Sequence, residues 1–167
     1  MAEPDLLDLE HFLPYRLSVL SNRISQEIAR LYARRFGLAV TEWRVLAVLG
    51  RHPDLSAREL AERTAMDKVA VSRAIASLVQ AGRLERETHD NDRRRAVLRL
   101  SPAGQAIYAD VAPLALAYQR RLLAGLGERE RDALQALLTR LEAAAAEVSA
   151  AAPLDEAAPG RPAGPAG

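Results

Sequence analysis

The chain has 167 residues, enough for one domain with a proper core, with or without an extension. It holds no cysteine, which excludes disulfides and thiol-based redox sensing, and its three scattered histidines, His11, His52 and His89, make no ligand cluster, so neither metal nor other cofactor is expected. The net charge is +1, no apolar run approaches a membrane span and the N-terminus lacks a signal-peptide pattern, which together point to a cytoplasmic protein without a membrane partner.

Residues 1–8 read as a flexible arm. From residue 9 to 36 the apolar positions Leu13, Leu17, Leu20, Ile24, Ile28 and Leu31 recur at spacings of three and four, which predicts one long helix ended by Gly37. Pro14 lies near its start, where proline is tolerated best. So long a helix has more apolar surface than one short partner can cover, and it should also meet the C-terminal helices. Thr41 is the expected cap of a second helix that buries Val45, Leu46, Val48 and Leu49 and stops before Pro53. Asp54 and Leu55 can add a short strand.

Ser56-Ala57-Arg58-Glu59 has the form of a capping box, so a short helix should start there and end near Arg63 or Thr64. Ala65 and Met66 make a turn. Asp67 then caps a helix, with residues 67–81 as its span, that buries Val71, Ile75, Leu78 and Val79. Its other face carries Lys68, Val69, Ser72, Arg73 and Ala76, side chains small, polar or basic enough to enter a DNA major groove. Gly82 ends it, and a hairpin follows over residues 84–100, with a polar loop from His89 to Arg94. Two helices joined by a turn and followed by a two-stranded flap make a winged helix, spanning residues 41–100. Residues 51 to 100 hold eleven basic and eight acidic side chains, against six and eight from residue 101 onward, so the positive charge sits on this module.

Ser101-Pro102 opens a further helix that should bury Ile107, Val111, Leu114, Tyr118 and Leu122, with Pro113 kinking or splitting it. Gly125-Leu126-Gly127 breaks it. A last helix begins at Glu128 and carries Leu134, Leu137, Leu138, Leu141 and Val148, so the C-terminal helices occupy residues 101–149. Residues 150–167, rich in alanine, proline and glycine, read as a disordered tail. The fold class is mainly α with a small β wing: a winged helix-turn-helix DNA-binding domain plus a helical dimerisation region formed by the N- and C-terminal helices.

The run from Asp92 to Gly104, Asp-Arg-Arg-Arg-Ala-Val-Leu-Arg-Leu-Ser-Pro-Ala-Gly, preceded by Gly82-Arg83-Leu84-Glu85-Arg86, resembles the wing of the MarR family of bacterial transcriptional regulators. The resemblance covers about Leu9 to Val148. It implies a homodimer knitted by both chain ends, two recognition helices one DNA turn apart, and a palindromic double-stranded operator. Arg73 is then suited to a guanine or a phosphate, Ser72 to a base edge, and Val69 or Ala76 to a thymine methyl. Lys68, Ser56 and Arg58 fall to the phosphate backbone. In the wing, the family pairs Asp92 with Arg94; a carboxylate that pre-orients the guanidinium suits the narrow minor groove, and Arg93 and Arg95 flank it.

MarR relatives hold small aromatic acids or phenols between the dimer helices and the winged helix, which implies a pocket here with His11, Tyr15, Arg16, Ser25 and Trp43 as candidates. Arg16 can meet a carboxylate; Trp43 can stack on a ring or serve the core. The stretch from Phe12 to Leu20 resembles a MarR subgroup that controls breakdown of hydroxycinnamates and other aromatic acids; together these resemblances imply an aromatic carboxylate, a phenol or an aryl-CoA thioester as the expected effector. The leading function is a ligand-released repressor. The alternatives are a constitutive DNA-binding protein and a winged helix that binds protein. An enzyme is disfavoured, since no Gly-rich strand-to-helix turn and no acid–base cluster are present.

Overall fold

The computed structural model describes residues 6–88 and 96–151. It divides into two units, Met1–Arg120 and Arg121–Gly167. The elements in chain order are α1 (Leu13–Phe36), α2 (Val40–Arg51), α3 (Ala57–Thr64), α4 (Lys68–Gln80), β1 (Leu84–Thr88), β2 (Ala96–Leu100), α5 (Pro102–Leu122) and α6 (Glu128–Ala150). Among the described residues, six helices and a two-stranded antiparallel flap are the expected fold class.

The core of the first unit lies under the helix-turn-helix. Val45, Leu46 and Leu49 of α2, Leu60 of α3, Val71, Ala74 and Leu78 of α4, and Leu84, Leu98 and Leu100 of the flap are all buried. Tyr32 of α1 and Val111 of α5 close it. Each large apolar side chain buried here contributes about 1.5–3 kcal/mol. Arg35 of α1 pairs with Asp110 of α5 at 3.0 Å, and Arg83 Nη2 donates to the Phe36 carbonyl at the end of α1 at 2.6 Å.

Local chemistry sets most element ends. The Ser56 hydroxyl accepts from the Glu59 N–H at 3.3 Å while the Glu59 carboxylate accepts from the Ser56 N–H at 2.8 Å, closing the capping box. Asp67 Oδ1 accepts from the Ala70 N–H at 2.8 Å and starts α4. At the other end Gly82, at φ 66°, makes a Schellman turn: its N–H donates to the Val79 carbonyl and that of Arg83 to the Leu78 carbonyl. Ser101 Oγ accepts from the Gly104 N–H and donates to the Gly82 carbonyl, so one hydroxyl caps α5 and ties it to the end of α4. Gly104 must lack a side chain, because a Cβ would sit 2.1 Å from the Arg83 carbonyl oxygen.

Several expectations need correction. The long helix starts at Leu13 rather than residue 9: Asp8 gathers the N–H groups of Glu10, His11 and Phe12 into a turn, and Pro14 has no N–H to continue a helix upstream. The second helix starts at Val40, with Ala39 rather than Thr41 at the cap position, and the Glu42 carboxylate takes the Ala39 N–H at 2.7 Å. Asp54-Leu55 adds one bridge, Leu55 to Leu98, and not a strand. The flap pairs Leu84 with Leu100 and Thr88 with Ala96. Val79 is 39% exposed, and the smaller Ala74 is buried in α4 instead. Pro113 does not split α5, which runs as one helix from Pro102 to Leu122. Leu114 and Leu122 are exposed, as are Leu13, Leu17 and Leu20 of α1.

In the second unit, α6 follows the turn at Gly125-Leu126-Gly127, with the Glu130 carboxylate accepting from the Gly127 N–H at 2.7 Å. No residue of α6 is buried, and Leu137, Leu141 and Val148 stand exposed. The helix runs to Ala150, one residue into the expected tail; residues 152–167 of that tail, and 1–5 of the N-terminal arm, lie outside the described residues. Among the described residues no helix is long and apolar enough to cross a membrane, and no group of His, Cys, Asp and Glu could hold a metal ion.

Candidate nucleic-acid interface

The helix α4 is two-sided. Val71, Ala74 and Leu78 are buried, while Lys68, Val69, Ser72, Arg73 and Ala76 are all exposed. Residues 69, 72, 73 and 76 follow one another at the helical period and form a single stripe. Neither Lys68 nor Arg73 has an ion-pair partner among the described residues, so both charges are free to meet an anion. Val69, 58% exposed, leaves more than half of its apolar surface uncovered.

Beside this stripe a cleft of ≈ 320 Å³ opens between α4, the start of α3 and the flap. Ser72 and Ala76 line one wall, Ala96 and Leu98 the other, and Arg86 stands at its edge. Arg86 is not among the contacts expected from the sequence. Its signal is the strand alternation that puts it on the same face as Leu84.

The other expected contacts are placed differently. Ser56 already commits its hydroxyl to Glu59, and Arg58 pairs with Glu62 at 2.9 Å, which raises the guanidinium pKa above its ordinary value. Asp92, Arg93, Arg94 and Arg95 lie outside the described residues. The stem that carries them is anchored: Arg99 of β2 donates to Asp54 at 2.8 Å and to Glu87 of β1 at 2.7 Å. Asp54, first, and then Glu87 hold the Arg99 pKa above its usual value. Asp54 sits at φ 62°, a conformation aspartate tolerates better than most residues.

The five residues expected in a ligand pocket fall into separate places. Tyr15 and Arg16 line an open groove of ≈ 430 Å³ along α1, with Leu13, Leu17 and Leu20. His11 is exposed in the preceding turn, its Nδ1 2.7 Å from Asp8. Ser25 accepts from Arg44 Nη2 at 3.1 Å. Trp43 lies between two rings, 5.6 Å from Tyr32 and stacked on Tyr108 at 6.2 Å. Burial pushes the Tyr32 phenol up to about 12, against an opposing pull from Arg44. Arg44, Tyr32 and Tyr108 thus join Ser25 and Trp43, and no local pattern in the sequence marks them.

A family model described as "MarR family" matches residues 36–95. The chain is 32% identical over 93 residues to the HTH-type transcriptional regulator BilQ of Clostridium symbiosum; the match covers 56% of this chain and 65% of that protein, just under two thirds of its length. The MarR/EmrR family transcriptional regulator from Acinetobacter sp. ADP1 superposes with a TM-score of 0.79 at 27% identity, covering 84% of this chain and 99% of the other. A probable transcriptional regulator from Pseudomonas aeruginosa matches at 30% identity and a TM-score of 0.62, covering 77% and 98%. These relatives are transcriptional regulators, not enzymes.

Proposed function

The chain belongs to the MarR family of transcriptional regulators, and we propose that it is a homodimeric repressor that grips a palindromic operator and releases it when a small aromatic ligand binds. The observation that carries this reading is the two-sided α4, whose free side offers Lys68, Val69, Ser72, Arg73 and Ala76 as a small, basic stripe. Such a stripe fits the major groove; Arg73 suits a guanine, Ser72 a base edge, Val69 or Ala76 a thymine methyl, and Lys68 a phosphate. The anchored flap would carry Arg93, Arg94 and Arg95 to the neighbouring minor groove, with Asp92 orienting Arg94. Ser56 and Arg58, already paired, would serve the backbone only by giving up those bonds.

Pairing of two chains supplies the second recognition helix. Leu13, Leu17 and Leu20 of α1 and Leu137, Leu141 and Val148 of α6 are apolar and exposed, the condition in which a second copy gains by covering them. The effector class, an aromatic carboxylate, phenol or aryl-CoA thioester, rests on the resemblance of residues 12–20 to regulators of aromatic-acid breakdown. Arg16 and Tyr15 in the α1 groove, and Ser25 and Trp43 beside Arg44, are the side chains suited to a carboxylate and a ring; His11, in the turn before α1, would join them only by leaving Asp8. A ligand that binds better to a form with mis-spaced recognition helices lowers DNA affinity by that difference.

The test is to sequence duplexes selected by the pure chain and to repeat binding at several salt concentrations. Expected are inverted half-sites with centres about 10 base pairs apart and a steep fall of affinity with salt. Adding aromatic acids and their CoA thioesters should release the DNA. No enriched sequence and a flat salt response would remove the operator reading; binding indifferent to all such ligands would leave a constitutive DNA-binding protein.

A further inference from the structure

The helix α4 is held against α2 chiefly by apolar packing, Val45, Leu46 and Leu49 against Val71, Ala74 and Leu78. Packing of this kind is not directional, and helix pairs built from it scatter by about 15–20° in crossing angle. One polar contact between these helices is directional. The Ser77 hydroxyl of α4 donates to Glu42 Oε1 at 2.5 Å, and the other oxygen of that carboxylate accepts from the Ala39 N–H at 2.7 Å. It is the one side-chain hydrogen bond between α2 and α4 among the described residues. The carboxylate is therefore held at one oxygen by the backbone at the start of α2 and presents the other to α4. A charge-assisted bond to so constrained an acceptor is stronger and narrower in angle than one to a free side chain.

Ser77 lies one helical turn beyond Arg73, on the same ridge of α4. A rotation of α4 by about 10° about its axis would move a side-chain tip at the helix surface by about 1 Å, enough to spoil a bidentate contact to a base. We propose that Glu42 is a positioning residue: through Ser77 it sets the rotation of α4 and so the aim of Ser72 and Arg73. This rests on the reading above that α4 enters the DNA groove.

The experiment uses the full chain and two probes, a duplex enriched by the wild-type protein from a random pool and a scrambled duplex of the same length. Ser77→Ala should lower the ratio of enriched to scrambled affinity by about tenfold, the order of one mismatched base pair. Affinity for the scrambled probe should stay within about twofold, since phosphate contacts alone serve it. Ser77→Thr, which keeps the hydroxyl, should restore the ratio. Glu42→Ala should lower the ratio as well, and the double variant should lose no more than the larger single loss. A Ser77→Ala ratio within about twofold of wild type, a failure of Thr to rescue, or additive losses in the double variant would each overturn the proposal. If the wild-type chain prefers no duplex at all, the operator reading falls first and takes this one with it.

Discussion

At Gly50 the helix α2 leaves room for a ring. A Cβ there would stand 2.5 Å from Cε2 of Tyr108, and that ring stacks on Trp43, the one tryptophan of the chain. Gly50→Ala should therefore displace Tyr108 and change the Trp43 emission. The crowding costs about 1–3 kcal/mol and the better helix propensity of alanine returns up to about 1, so urea denaturation should show a small net loss. Changed emission with raised stability would mean that the ring yields freely, and unchanged emission would mean that the stack on Trp43 does not depend on this glycine. Tyr32, beneath the same cluster, carries a pH signature. Its phenol is pushed up to about 12 by burial, whereas the unfolded chain titrates near 10. The folded state thus keeps a proton that the unfolded state has lost. The stabilisation is complete below pH 10 and should decline as pH rises from 10 toward 12, and Tyr32→Phe should flatten that decline in denaturation midpoints. Residues whose roles are local are legible in the sequence. Ser56, Asp67, Gly82 and Ser101 act on partners a few positions away, or at a turn their own chemistry defines. Glu42 acts on Ser77 across 35 positions, and Trp43 on rings from two other helices, so no short pattern could show them.

At the scale of elements, periodicity tells which helices exist and which side faces inward, but not how far burial extends around each. The spacing that places Val79 beside Ile75 and Leu78 is sound. The residue at 79 nonetheless falls at the margin of the α4 contact, while Ala74, small enough for close approach to α2, takes the buried place. The start of α1 differs from the expected one because a pattern that begins at Leu13 does not fix the first turn, whereas backbone chemistry at Asp8 and Pro14 does. The free side of α4 yields a paired prediction. Arg73→Ala should cost about 1–3 kcal/mol on the preferred duplex and relax the choice of base at one position. Lys68→Ala should weaken binding to all duplexes alike and reduce the salt slope by about one. Competition binding on single-base variants of the selected duplex, at two salt concentrations, separates the two. An Arg73→Ala protein with unaltered sequence preference would show that this side chain touches phosphate only.

For the molecule as a whole, the quantity a sequence leaves open is which chain covers each apolar stripe. The stripe of α1 is correctly periodic, yet only its C-terminal half reaches a core in its own chain, at Tyr32. Its N-terminal half leaves Leu13 44%, Leu17 39% and Leu20 51% exposed on one side of the helix. A periodic pattern reads the same whether its partner lies in the same chain or in another, so the spacing of leucines is silent on this point. If a second copy covers that half, removing two of these leucines forfeits about 1.5–3 kcal/mol each per chain, and placing carboxylates there adds the cost of burying charge. Leu17→Glu combined with Leu20→Glu should then weaken self-association by at least about a thousandfold, since each 1.4 kcal/mol is a factor of ten. Sedimentation across a concentration series should show the shift from dimer to monomer, with helical content by circular dichroism retained because the packed winged helix is untouched. The same variant should lose the steep preference for a two-half-site duplex over a single half-site, since only a tethered pair of recognition helices gains from the second half. A variant that still sediments as a dimer would mean that α1 is not where the copies meet.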